Sequence, residues 1–165
     1  MIRDVVQITD PLIFEKSKEI IPEEFNSSEL QNLINDMVDT MRATNGVGIS
    51  AIQIGVKKRI AVIEYGSDNP RYKDIGRCPL TIVINPEIKP GDNLSALDEG
   101  CLSVIGKRDS VIRPKSIEYK YYDQMGRMII DKDDGFFARV MQHEVDHMDG
   151  ILFPMRVKER LERDN

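Results

Sequence analysis

The chain has 165 residues, 41% of them apolar and 31% charged, with a formal net charge of −5. This length suits one domain spanning 1–165 with a sizeable core. No apolar stretch approaches the roughly twenty residues of a membrane helix, and an acidic balance without a basic stripe argues against general phosphate attraction, and so against a nucleic-acid partner. The first ten residues lack the apolar core of a signal peptide and the Arg/Ser-rich, acid-poor look of a transit peptide. A cytoplasmic address is expected, with an organellar origin open only if a leader has been removed. Cys78 and Cys101 are then expected as reduced thiols or metal ligands.

In chain order, Leu30, Leu33, Ile34, Met37, Val38 and Met41 repeat at the spacing of one buried helix face, predicting an N-terminal helix over 28–44. Ser28 with Gln31 is expected to form a capping box, and Asn45-Gly46 to stop the helix. The segment 46–53 turns apolar but ends on Gln53, a polar residue where burial is expected. Ile/Val-rich runs at 59–65 and 80–85 read as strands, followed by 110–113, 116–123 and 127–131, the last two joined by a hairpin through Gln124-Met125-Gly126. Segments 66–78 and 86–98 read as loops. A second long helix is expected from about 135 to 148, ended by Asp149-Gly150. The expected class is α+β: mostly antiparallel sheets packed around this central helix.

That helix carries His143-Glu144-Val145-Asp146-His147, the only two histidines of the chain, placed one turn apart on one face with a glutamate beside them. Such an HExxH spacing points to a metal ion and activated water. Catalytic sites commonly add a third protein ligand and keep one position for water. Downstream, Phe153 stands where a metzincin has its third histidine, and Glu159, Glu162 and Asp164 lie in a short charged tail. Cys101, within Glu99-Gly100-Cys101-Leu102-Ser103, is the stronger candidate: a thiolate is a good ligand, and the adjacent glycine permits close backbone approach.

The three segments Gly46-Val47-Gly48-Ile49-Ser50-Ala51-Ile52-Gln53, Glu99 to Ser103, and Gln142 to His147 together resemble the peptide deformylase family in order and spacing, and the likeness runs from about Asp10 to Phe153. The resemblance implies removal of the formyl group from formyl-methionyl peptides, releasing formate. It further implies Cys101, His143 and His147 as metal ligands, Glu144 as general base, and Gln53 with the Leu102 N–H as oxyanion donors. Val47, Phe136 and Val140 would line the methionine pocket, Gly48 and Gly100 would pair with the extended peptide, and Arg108 would support the substrate entrance. The implied physiological ion is Fe(II), with Zn(II), Ni(II) or Co(II) able to occupy the same ligands. Two departures stand out: Ile105 replaces a usual proline, which should loosen its loop, and the Asp10-Pro11 start lacks the usual arginine. The tail 155–165 is expected as a short helix, with transient ribosome contact a weaker implication. Competing expectations are an HExxH endopeptidase and a non-catalytic peptide-binding domain.

Overall fold

The N-terminal helix is stopped and started by local chemistry that also sets its position. In the computed structural model, which describes residues 1–157, helix α1 spans Ser28–Ala43. Ser27, not Ser28, caps it: Ser27 Oγ accepts the Leu30 N–H at 3.1 Å. The expected capping box does not form, because the chain turns at Asn26 (φ 63°) and brings the preceding serine into the extended cap conformation. The Gln31 side chain instead bonds Asn35 one turn on. At the other end Asn45 takes a left-handed φ of 56° and the Gly46 N–H donates to the Met41 carbonyl at 2.9 Å, closing the helix as expected.

Among the described residues, seven strands form two antiparallel sheets. The larger contains β1 (Gly48–Ser50), β2 (Ile60–Tyr65), β3 (Cys78–Pro90), β6 (Ile117–Tyr122) and β7 (Met128–Asp133), in that spatial order. The smaller pairs β4 (Leu94–Cys101) with β5 (Val104–Pro114). Two expectations need correction here. The segment 86–98 is largely strand, since β3 continues past a register shift between Ile84 and Glu87, and β4 begins at Leu94. The strand expected at 110–113 begins six residues earlier. In both places the side chains are mostly exposed, so backbone pairing rather than burial defines the strands, and the alternation of apolar residues on which sequence patterning depends is missing. The β6–β7 hairpin turns at Gly126 (φ 81°) as expected.

Period-2 alternation along β2 divides the core. Ile60 and Val62 face one way, with Ile82 and Ile84 of β3, and pack against Ile34, Met37, Val38 and Met41 of α1. Ala61 and Ile63 face the other way with Val83, against Ala138, Val140 and Met141 of helix α2 (Phe136–Met148). Helix α2 thus packs on the sheet through one face while β4–β5 covers another, the α+β arrangement expected. A third cluster, with Ile13, Ile52, Cys101, Val111, Leu152 and Phe153, closes around the end of β4. Asp149 and Gly150 end α2 as expected; a Cβ on Gly150 would lie 2.2 Å from the Phe14 carbonyl oxygen, so only glycine fits. Residues 153–157 are helical, whereas the rest of the expected tail helix, with Glu159, Glu162 and Asp164, lies outside the described residues. No helix among them is long and apolar enough to cross a membrane.

The cap makes a direct test. Ser27→Ala should lower unfolding free energy by about 1 kcal/mol in a urea titration, whereas Ser28→Ala should change it by no more than a few tenths.

Candidate metal centre

His143 and His147 leave α2 one turn apart with ring centroids 5.0 Å apart. Cys101 approaches from the end of β4, its Sγ 3.3 Å from His147 Nε2. One ligand atom from each of the three lies within 4.8 Å of the others. A soft thiolate and two imidazoles at that separation fit a single tetrahedral divalent ion, whose bonds to such donors run about 2.0 to 2.3 Å. Burial pushes the Cys101 thiol up, but the imidazoles of His147 and His143 outweigh it and hold the thiol well below its ordinary value, favouring the thiolate.

The orientation of His143 is fixed from behind. Glu99 sits two residues before Cys101, on the same face of β4, and its Oε1 lies 2.8 Å from His143 Nδ1. That carboxylate is itself held by Arg113 through two hydrogen bonds of 2.7 and 2.9 Å and by Arg139 at 2.8 Å. Arg113 continues to Asp146 at 2.8 Å, which Arg156 also contacts at 2.8 Å. Glu99, Arg113 and Arg139 are all buried. Burial would raise the Glu99 carboxyl, yet His143 and Arg113 hold it far below the carboxylate range. For Asp146, Arg156 and Arg113 likewise overcome burial and lower the pKa. Phe153, in the metzincin-histidine position, stacks on the His143 ring at 6.3 Å. By contrast His147 Nδ1 is buried with no protein partner, so no carboxylate holds that ring from behind as Glu99 holds His143.

Glu144 is buried beside the histidines, with Ser50 Oγ 3.1 Å from its Oε1. Burial raises its pKa, and the neighbouring imidazoles only partly offset this. Gly48 makes room for it, since a Cβ there would stand 2.9 Å from Glu144 Oε2 and 3.0 Å from Val140. Gln53 is buried, its Oε1 accepting the Ser50 N–H at 2.9 Å and its Nε2 donating to Ser103 Oγ at 3.1 Å, with Cys101 Sγ 3.7 Å away. A polar side chain in an apolar run is thereby explained by ties to the end of β1 and to the turn between β4 and β5.

Val47, Gly48, Gln53, Gly100, Cys101, Leu102, Phe136, Val140, His143 and Glu144 all line one cavity. Its volume of about 30 Å³ holds about one water and not a methionine side chain. Tyr72, from the loop between β2 and β3, forms one wall: its ring lies 4.9 Å from Phe136 and its hydroxyl accepts the Gly100 N–H at 3.2 Å. Arg108 lies outside this cavity, its guanidinium 4.6 Å above the Tyr72 ring. Ile105 is 81% exposed in a bulge of β5 away from the thiolate and imidazoles.

Sequence reasoning missed Tyr72, Ser50 and the charged network behind His143. Glu99 and Arg139 carried a usable signal: one shares a strand face with Cys101, and the other stands four residues before His143 on the same helix face.

A strand-borne thiolate beside an HExxH helix, with a buried glutamate, defines the class: a metal-dependent hydrolase. The model of the polypeptide deformylase family matches residues 2–163. Peptide deformylase 2 of Ralstonia nicotianae is 44% identical over 161 residues, covering 96% of this chain and 89% of that protein. Peptide deformylase 1 of Nitrosomonas europaea is 40% identical over the same shares. Among solved structures, a class I type b peptide deformylase from Acinetobacter baumannii with Met-Ala-Ser bound superposes with a TM-score of 0.90 at 35% identity, covering 94% of this chain and 98% of that one. The Ehrlichia chaffeensis enzyme in complex with actinonin gives a TM-score of 0.83 at 35% identity, with 94% and 88% covered. The chain belongs to the polypeptide deformylase family, and its reaction is removal of the N-formyl group from new polypeptides.

The depressed carboxyl pKa values of Glu99 and Asp146 set a pH dependence. Their stabilisation is fully present above the unfolded carboxylate range, near pH 4, and is lost as pH falls through the folded values. Urea midpoints should fall steadily below about pH 4, and Arg113→Met should cost about 3 kcal/mol at pH 7 by taking one cation from each of two buried carboxylates, leaving Glu99 with Arg139 and Asp146 with Arg156.

Proposed function

We propose that Cys101, His143 and His147 hold one divalent ion, and that Glu144 serves as general base in deformylation. The convergence of those three ligand atoms within 4.8 Å, beside a buried Glu144, carries the reading. A divalent ion held there would supply the Lewis acidity that makes hydroxide available from water near neutral pH. Glu144, with its pKa raised by burial, is suited to accept the water's proton and deliver it to the departing amine. Gln53 Nε2 and the Leu102 N–H are the oxyanion donors, and the bonds from Gln53 to Ser50 and Ser103 fix its amide in advance of the reaction.

Val47, Phe136 and Val140 form the walls for the methionine side chain, and Gly48 and Gly100 offer backbone groups to an extended peptide; all five line the one cavity beside the ligand atoms. Pairing at Gly100 requires Tyr72 to release that N–H and open the small cavity. Arg108 stands at the entrance, on the outer face of Tyr72. Fe(II) is the proposed native ion, with Zn(II), Ni(II) and Co(II) accepted by the same donors. The chain is proposed to act as one catalytic unit in the cytoplasm on formyl-methionyl peptides, with any ribosome contact made through the tail beyond residue 155.

Metal-loaded protein incubated with formyl-Met-Ala-Ser should release formate without peptide fragments, and prior treatment with a chelator should abolish release. Fragments would instead mean an endopeptidase, and neither product a binding domain. Gln53→Ala should lower kcat about a hundredfold. Glu144→Ala should retain one ion per chain while lowering kcat about a thousandfold; full activity in that variant would remove Glu144 from the mechanism.

A further inference from the structure

A larger groove of about 970 Å³ adjoins the cavity, and Arg71, Cys101 and Leu102 line both. It therefore begins where a peptide held in the site would leave it. Arg71, Lys107 and Arg108 line the groove against a single acid, Asp4, in a chain whose net charge is −5. Among the described residues none of these three cations pairs with a carboxylate: Arg108 bonds only the Asp98 carbonyl and covers the Tyr72 ring. The other arginines near the metal ligands, Arg113, Arg139 and Arg156, are each tied to a buried carboxylate. Lys107 and Arg108 are also exposed: the register shift of β4 on β5 puts residues 105–107 in a bulge with Gly106 at φ 75°, and Arg108 follows it, paired with Gly100. Position 105 gives that bulge an exposed isoleucine.

Unpaired like charges held close together repel one another, and an incoming anion relieves that repulsion. We propose that this groove binds the residues that follow the formyl-methionine and selects acidic side chains among the third and fourth, with Arg71, Lys107 and Arg108 as specificity-determining residues. The inference rests on the deformylase reading above, which supplies the direction in which the peptide leaves the site. Exposed ion pairs are worth at most about 1 kcal/mol each, so the selection is a matter of several-fold rather than thousands. It acts on capture of the peptide, and so on KM rather than kcat.

The test compares formyl-Met-Ala-Asp-Asp-amide, formyl-Met-Ala-Ser-Ser-amide and formyl-Met-Ala-Lys-Lys-amide, blocked at the C-terminus so that no terminal carboxylate competes. The acidic peptide should exceed the lysine peptide about fivefold in kcat/KM through KM, with the serine peptide between them. The ratio should approach one in about 0.5 M salt, where exposed charges are screened. It should also approach one in the double variant Lys107→Gln, Arg108→Gln. Formate release from the serine peptide reports separately on the deformylase reading. The same ratio is read as relative Kd of the unformylated peptides, so the charge preference is measured whether or not formate appears. Equal values for acidic and lysine peptides in the unmodified protein, or a preference that survives both the salt and the double variant, would overturn the proposal.

Discussion

Everything at the catalytic end of this molecule depends on one buried carboxylate. Glu99 accepts hydrogen bonds from Arg113, Arg139 and the His143 ring, linking β4, β5 and α2 at a single point. A carboxylate removed from water is tolerated only when its lone pairs are filled by charged donors, and here two guanidiniums do so. The reward is geometric. With Nδ1 of His143 held, the ring can present only Nε2 toward Cys101 and His147, and the same strand that delivers Glu99 delivers the thiolate two residues later.

The network also explains why a small sheet ribbon with mostly exposed side chains can hold Cys101 in place. Strands β4 and β5 contribute little apolar surface, so their position on α2 relies on charge pairing that reaches from Glu99 through Arg113 to Asp146 and Arg156. Buried ion pairs of this kind add little net stability compared with apolar packing, but losing one member is severe. The same elements therefore serve orientation more than folding energy. Outside the network, Tyr72 and the cations Arg71, Lys107 and Arg108 line the proposed peptide path, which separates the proposed chemistry from the proposed substrate choice.

Much of this was legible in the sequence because it depended on local patterns. The helical face from Leu30 to Met41, the β6–β7 hairpin and the five-residue motif on α2 each lie within a single element. Cys101 was picked out by its motif and is brought to the histidines by tertiary packing. Legibility failed where a role depends on distant partners. Gln53 stood out as a polar residue in an apolar run, but its bond to Ser103 reaches a residue 50 positions away. Tyr72 sits in a Gly/Pro/Asp-rich segment read only as a loop, and its contacts with Gly100 and Phe136 span 28 and 64 positions. The strands at 86–98 were missed because neither face is continuously buried, leaving no alternation to detect.

The most direct test is a crystal structure of the metal-loaded protein with anomalous diffraction recorded at the absorption edge of the ion. The expected result is one anomalous peak bonded to Cys101 Sγ and to Nε2 of His143 and His147, with His143 Nδ1 still on Glu99. An ion bound through other donors, or a His143 ring turned away from Glu99, would contradict the account.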